Sequence, residues 1–192
     1  MAVEEYYTDE ANEETAGNAD RDKLVPGFYL FRTADAIESG EYITIDAETL
    51  QCSKPGVPLG QVHREFFSLA IDKASSNRRI AYQIAANLAT KEQIKAARTA
   101  GQGLVIEYTS SVGQCWVAEI APKQVKKKDE NGKDVWTDDP SGDTKIRYDH
   151  IFHVDDPVLK RKGFIIDKSK LEMSNAFGGD LPKTEPKKAG FF

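Results

Sequence analysis

Apolar positions along the chain fall into short runs separated by turn residues, and the runs predict strands more often than helices. Phe28-Tyr29-Leu30-Phe31 follows Pro26-Gly27 and reads as a buried strand over about 28–34. Tyr42-Ile43-Thr44-Ile45 follows Gly40 and predicts a second strand over 41–46. The stretch Ser53-Lys54-Pro55-Gly56-Val57-Pro58-Leu59-Gly60 is too rich in Pro and Gly for helix or ladder and predicts a loop. A third strand is expected over 62–71, with Phe67, Leu69 and Ile71 on one face. Further strands are expected at 104–109, 115–121, 145–154 and 164–166.

One stretch has the helical period. From Ser76 to Thr99, Ile80, Ile84 and Leu88 recur every four residues, and Ile94 falls near the same stripe. Thr90 and Gln93 fit a capping box, so two helices with a break near residue 90 are predicted. Ser75 or Ser76 is the expected first N-cap, and Gly101 and Gly103 the stop. Residues 123–136 predict a protruding hairpin with Asn131-Gly132 at its tip. The expected fold class is α+β and mainly β: a small barrel or sandwich with one helical segment, or two helices, packed on it.

The ends break this pattern. Residues 1–24 have no hydrophobic period, and residues 168–192 revert to Lys, Pro and Gly. Neither segment has enough apolar surface to offset the cost of ordering it. The expected organisation is an acidic arm over 1–24, one core domain over 25–167 and a second arm over 168–192. Of the 192 residues, 40% are hydrophobic and 30% charged, an ordinary globular balance. The net charge is −5, but the eight acidic and two basic side chains of residues 1–23 account for −6, which leaves the rest at +1. A strongly basic footprint for nucleic acid is therefore missing overall, although a local one fits. No apolar run approaches the ~20 residues that cross a bilayer, and the first residues carry no secretory signal. No membrane partner is expected, and the expected location is a virion or the cytoplasm of a host cell.

Candidate chemistry is sparse. Cys52 and Cys115 lie far apart among strand-like neighbours, which suits two reduced, buried thiols; a disulfide is the alternative. His150 and His153 are tempting metal ligands, but residues three apart on a strand point to opposite faces. Ile146, Tyr148, His150, Phe152 and Val154 share the face expected to meet the core. His63 is the remaining histidine, no Gly-x-Ser-x-Gly elbow is present, and Gly101-Gln102-Gly103 stands between helix and strand in the wrong order for a dinucleotide site. No catalytic residue, metal or cofactor is expected.

Two binding roles remain. Isolated aromatics on the arms, Tyr6 and Tyr7 at one end and Phe177, Phe191 and Phe192 at the other, suit anchoring in pockets of neighbouring chains. By analogy with arms that clamp subunits in phage heads and head–tail joints, the preferred expectation is a non-enzymatic assembly protein, a viral structural component whose partners are other subunits. The alternative starts from the element order strand–strand–strand–helix–strand–strand, which resembles the OB-fold barrel. That resemblance implies a single-stranded nucleic-acid binder stacking bases on aromatics. The candidates are Tyr42, Tyr108, Trp116 and Trp136, with Arg64 and the basic cluster Lys123, Lys126, Lys127 and Lys128. The acidic arm is loosely similar to the acidic tails of phage single-strand-binding proteins, at the opposite end of the chain.

Overall fold

The computed structural model describes residues 24–175. In chain order the elements are β1 (Gly27–Ser39), β2 (Tyr42–Cys52), β3 (Val62–Ser68), α1 (Lys73–Ala85), α2 (Lys91–Ala100), a 3-10 turn (Tyr108–Ser111), β4 (Cys115–Pro122), β5 (Gln124–Lys128), β6 (Asp134–Asp138), β7 (Thr144–His153), α3 (Pro157–Arg161) and α4 (Lys168–Asn175). The fold is α+β and mainly β. Five strands form one sheet in the order β3-β2-β1-β4-β7, and β5 and β6 form a separate ribbon. The chain divides into two compact units. One holds Gly27–Glu119 with the residues from Ile146 onward; the other holds Ile120–Lys145 with the segment ending at Pro26.

β1 explains how the larger unit is built. Its register against β2 shifts between Leu30 and Phe31 and again between Thr33 and Asp35. Such bulges bend a strand and raise its twist, and the sheet curls towards half a barrel. Tyr29, Leu30 and Phe31 are all buried, which a strand permits only where both faces are covered. On one face Tyr29 stacks on Phe31, Phe31 on Trp116 at 4.8 Å, and Trp116 meets Tyr82 edge-on at 5.2 Å. On the other, Leu30, Cys115 and Val117 pack with Leu159 of α3 and with Phe164.

The stacked rings enclose a chain of hydrogen bonds whose direction can be worked out. The Ser111 hydroxyl donates to the Tyr108 carbonyl at 2.7 Å, so Ser111 Oγ accepts from Tyr82 at 3.0 Å. The Tyr82 oxygen then accepts from Thr33 at 3.0 Å, and Thr33 Oγ1 accepts from Trp116 Nε1 at 3.2 Å. Each hydroxyl donates once and accepts at least once, so the buried polar groups are satisfied. Gln83 Nε2 adds a bond to the Tyr108 hydroxyl at 2.7 Å.

This chain decides which face of α1 is buried. Tyr82, Gln83 and Ala85 of α1 are buried, as are Ala86 and Ala89 just past its end, while Ile80 and Ile84 of α1 and Leu88 beyond it are only half-buried. The stripe of largest side chains is therefore not the core face; alanines let the helix approach closely enough for Tyr82 to reach Thr33 and Ser111. The break near residue 90 is present. Thr90 accepts from the Gln93 N–H while the Gln93 side chain accepts from the Thr90 N–H, and Gly101 closes α2 in the left-handed region. The first N-cap is Asp72, which accepts from the Ser75 N–H at 2.9 Å, rather than a serine. Those hydrogen bonds hold the Asp72 carboxyl below its ordinary value.

Three predicted strands change. β3 ends at Ser68, and Ile71 is exposed beyond it. Residues 104–108 form no strand; the segment leads into the 3-10 turn that delivers Tyr108 and Ser111 to the core. Residues 164–166 form no strand either, because Phe164 closes the turn after α3 through a bond from its N–H to the Leu159 carbonyl. In the second arm, Lys168–Asn175 is helical and Leu171 packs against the Leu30 cluster.

Replacing Tyr82 by Phe leaves the Thr33 hydroxyl without its acceptor and Ser111 without its donor. Y82F is expected to lose about 1–3 kcal/mol in urea unfolding. Burial raises the Tyr82 and Tyr108 pKa values. Their contribution is thus fully present below the unfolded tyrosine value of about 10 and is lost as pH rises above it. Y82F is expected to flatten this alkaline decline.

Candidate functional site

The β5–β6 ribbon is closed by a short loop. Asp129 and Lys133 face each other through a backbone bond of 2.9 Å, which leaves Glu130, Asn131 and Gly132 as a three-residue loop. Asp129 Oδ1 accepts from the N–H groups of Asn131 and Lys133, both at 2.9 Å, and Gly132 takes φ of 75°, the left-handed position such loops require. The Asn131-Gly132 tip is thus where the sequence places it, and the second strand continues to Asp138.

Pairing places Lys126 opposite Trp136, Gln124 opposite Asp138 and Lys128 opposite Asp134. Alternation puts these six side chains on one face, and all six are exposed. Trp136 is 66% exposed, unusual for so large an apolar ring. Lys126 Nζ lies 2.6 Å from Asp134, and Gln124 bonds Asp138. Lys123 sits at the base of the ribbon, 3.4 Å from Asp139, whose carboxyl is held below its ordinary value by hydrogen bonds from Ser141. Lys127, on the opposite face with Val125 and Val135, and Lys128 form no ion pair among the described residues. The structure therefore brings Lys126, Lys128 and Trp136 together and sets Lys123 and Lys127 apart.

The other aromatic candidates separate. Tyr42 is exposed, but Trp116 and Tyr108 are buried parts of the hydroxyl chain and unavailable as stacking platforms. Arg64 forms a two-bond ion pair with Asp46, both contacts at 2.6 Å, which raises its pKa. Tyr6, Tyr7, Phe177, Phe191 and Phe192 lie outside the described residues.

Each histidine is engaged locally. His150 Nδ1 bonds Glu119, which also lies 3.7 Å from Arg147. His63 Nε2 is 3.2 Å from Glu65, itself bonded to Arg78. His153 Nδ1 accepts from the Asp155 N–H at 3.1 Å, which leaves the proton of the neutral ring on Nε2. Both cysteines are free thiols; Cys115 is buried, whereas Cys52 is only partly so, against the expectation of two buried thiols. Among the described residues no cluster of three or more His, Cys, Asp or Glu is placed to hold a metal, and no helix is long and apolar enough to cross a membrane.

Sequence reasoning missed one feature. Ile80 and Ile84 of α1, Ile151 and Phe152 of β7 and the His153 ring line a cavity of about 700 Å³. The helical stripe was the available signal, but it is ordinarily a core face.

The two tryptophans separate site from scaffold. W136A is expected to change unfolding stability by less than about 0.5 kcal/mol, whereas W116A is expected to cost about 3–5 kcal/mol, both read from urea midpoints. Comparison with protein families, with curated proteins and with solved structures finds no match to this chain.

Proposed function

We propose that the chain is a non-catalytic binding protein whose β5–β6 ribbon holds single-stranded nucleic acid, stacking a base on Trp136 and pairing phosphates with Lys126 and Lys128. The observation that carries this reading is the exposed indole directly across the ladder from a lysine, with a second lysine on the same face. Every base offers a π-face, so an exposed ring binds single strands without needing a particular sequence. The Lys126–Asp134 pair does not oppose this strongly. Both side chains are about half exposed, and such pairs contribute only about 0–1 kcal/mol. A phosphate that displaces Asp134 also releases condensed counterions.

The non-catalytic part of the reading is supported by the engagement of all three histidines with backbone or carboxylate partners and by the burial of Cys115. The assembly role, as a subunit-clamping component of a viral particle, is a reading that the arm aromatics would carry. Among the described residues, the ribbon favours nucleic acid.

Titrating the full chain with a labelled oligonucleotide tests the reading. Trp116 is buried, so quenching of the exposed Trp136 should report binding. W136A is expected to weaken binding by about 1–3 kcal/mol, roughly 5- to 150-fold. Affinity should fall with salt with a log–log slope of about −0.7 per phosphate contacted, and K128A should remove about one such unit. D134N, which frees Lys126, should tighten binding. Absence of binding and quenching at low salt sinks the nucleic-acid reading and leaves the assembly role.

A further inference from the structure

β3 ends the five-stranded sheet, and the directions of its backbone groups follow from two bonds. The Thr49 N–H donates to the Gln61 carbonyl at 2.9 Å and the Leu69 N–H to the Glu41 carbonyl at 2.7 Å. With the unbroken register between them, the odd-numbered residues His63, Glu65 and Phe67 turn their N–H and C=O groups towards β2. The even-numbered Val62, Arg64 and Phe66 turn theirs outward. No backbone partner meets those outward groups among the described residues. The side chains of the same three residues stand on an open face, with Val62 57% and Phe66 51% exposed. Natural edges are usually blunted by Pro, Lys or a bulge; Val62–Ser68 contains neither residue and pairs without a register shift.

We propose that this edge is a seam between two copies of the chain, in which β3 pairs antiparallel with β3 of the second copy and joins the two sheets. The sequence of the strand favours a second copy as the occupant and a register centred on Arg64; centring on Phe66 would give one apolar pair instead of two and leave Val62 beyond the end of the partner strand. Centring the two-fold on Arg64 pairs Val62 with the second copy's Phe66 twice, apolar against apolar, through the outward backbone groups. On the other face the same register sets His63 beside the second copy's Glu65 without opposing like charges, although each is already engaged within its own chain, His63 with Glu65 and Glu65 with Arg78. The two Arg64 side chains then face each other, but each is already neutralised by its two-bond pair with Asp46. Shifting the centre to Glu65 opposes two carboxylates, and shifting it to His63 opposes two histidines and sets Val62 against Arg64. Cross-strand pairs of these kinds contribute about 0.2–1 kcal/mol each, with like charges unfavourable. The seam rests on the β3 edge alone and is independent of the ribbon's ligand.

The mass of the full chain, measured by sedimentation equilibrium over roughly a hundredfold range of micromolar concentration, tests this. A monomer–dimer equilibrium is expected. F66P removes an N–H that points outward, so the β2–β3 ladder stays whole, and it should raise the dimer dissociation constant at least about tenfold. F66K places a charge on the seam and should do the same, which keeps the test intact if the proline variant fails to fold. A wild-type chain that stays monomeric throughout, as it would if the edge served a different protein's strand, overturns the proposal. So does a dimer that F66K leaves unchanged.

Discussion

The directed hydrogen-bond chain from the Trp116 indole through Thr33, Tyr82 and Ser111 to the Tyr108 carbonyl is the constraint on which the larger unit's layout depends. It is built from residues of β1, α1, the 3-10 turn and β4, so four separate segments must arrive in register before it closes. A partly closed version would strand hydroxyl groups among aromatic rings, which is costlier than an all-apolar core. The chain therefore specifies one arrangement rather than simply adding stability. It also gives a physical reason why residues 104–108 run without regular structure: their task is to deliver Tyr108 and Ser111.

Burial on both faces of β1 has a similar origin. Ordinary strand alternation puts Tyr29 and Phe31 among the stacked rings and Leu30 in the cluster with Leu159 and Phe164, while the register shifts after Leu30 and Thr33 bend the strand between the two layers. The C-terminal helices thereby cover one face around Leu30. Around Phe66 and Val62 both side chains are left exposed, at the open edge of the sheet.

Much of this was legible in the sequence. The strand starts at Pro26-Gly27, the capping box at Thr90, the stop at Gly101 and the ribbon tip at Asn131-Gly132 all follow from local chemistry, and local chemistry prevailed. The errors arose where a distant partner decided the outcome. Ile80 and Ile84 form the most apolar stripe of α1, with Leu88 beyond its end, yet the rotation of that helix is set by a hydroxyl on Tyr82. Asp72 displaced the serines as the N-cap because its carboxylate was within reach of the Ser75 N–H. Trp116 and Tyr108 were plausible stacking platforms by residue type; only tertiary packing showed that their polar atoms are used internally. Trp136 was legible because a lone aromatic among lysines near a hairpin tip has nothing to bury it.

The α1 helix thus divides its duties between two sets of residues. Small alanines and one tyrosine hold the scaffold, while Ile80 and Ile84 look into the cavity beside Ile151. Because Tyr82 rather than those isoleucines sets the rotation of the helix, a change in their size would alter the volume of that hollow more than the path of the helix. The hollow and the scaffold are thereby built on different sides of one helix.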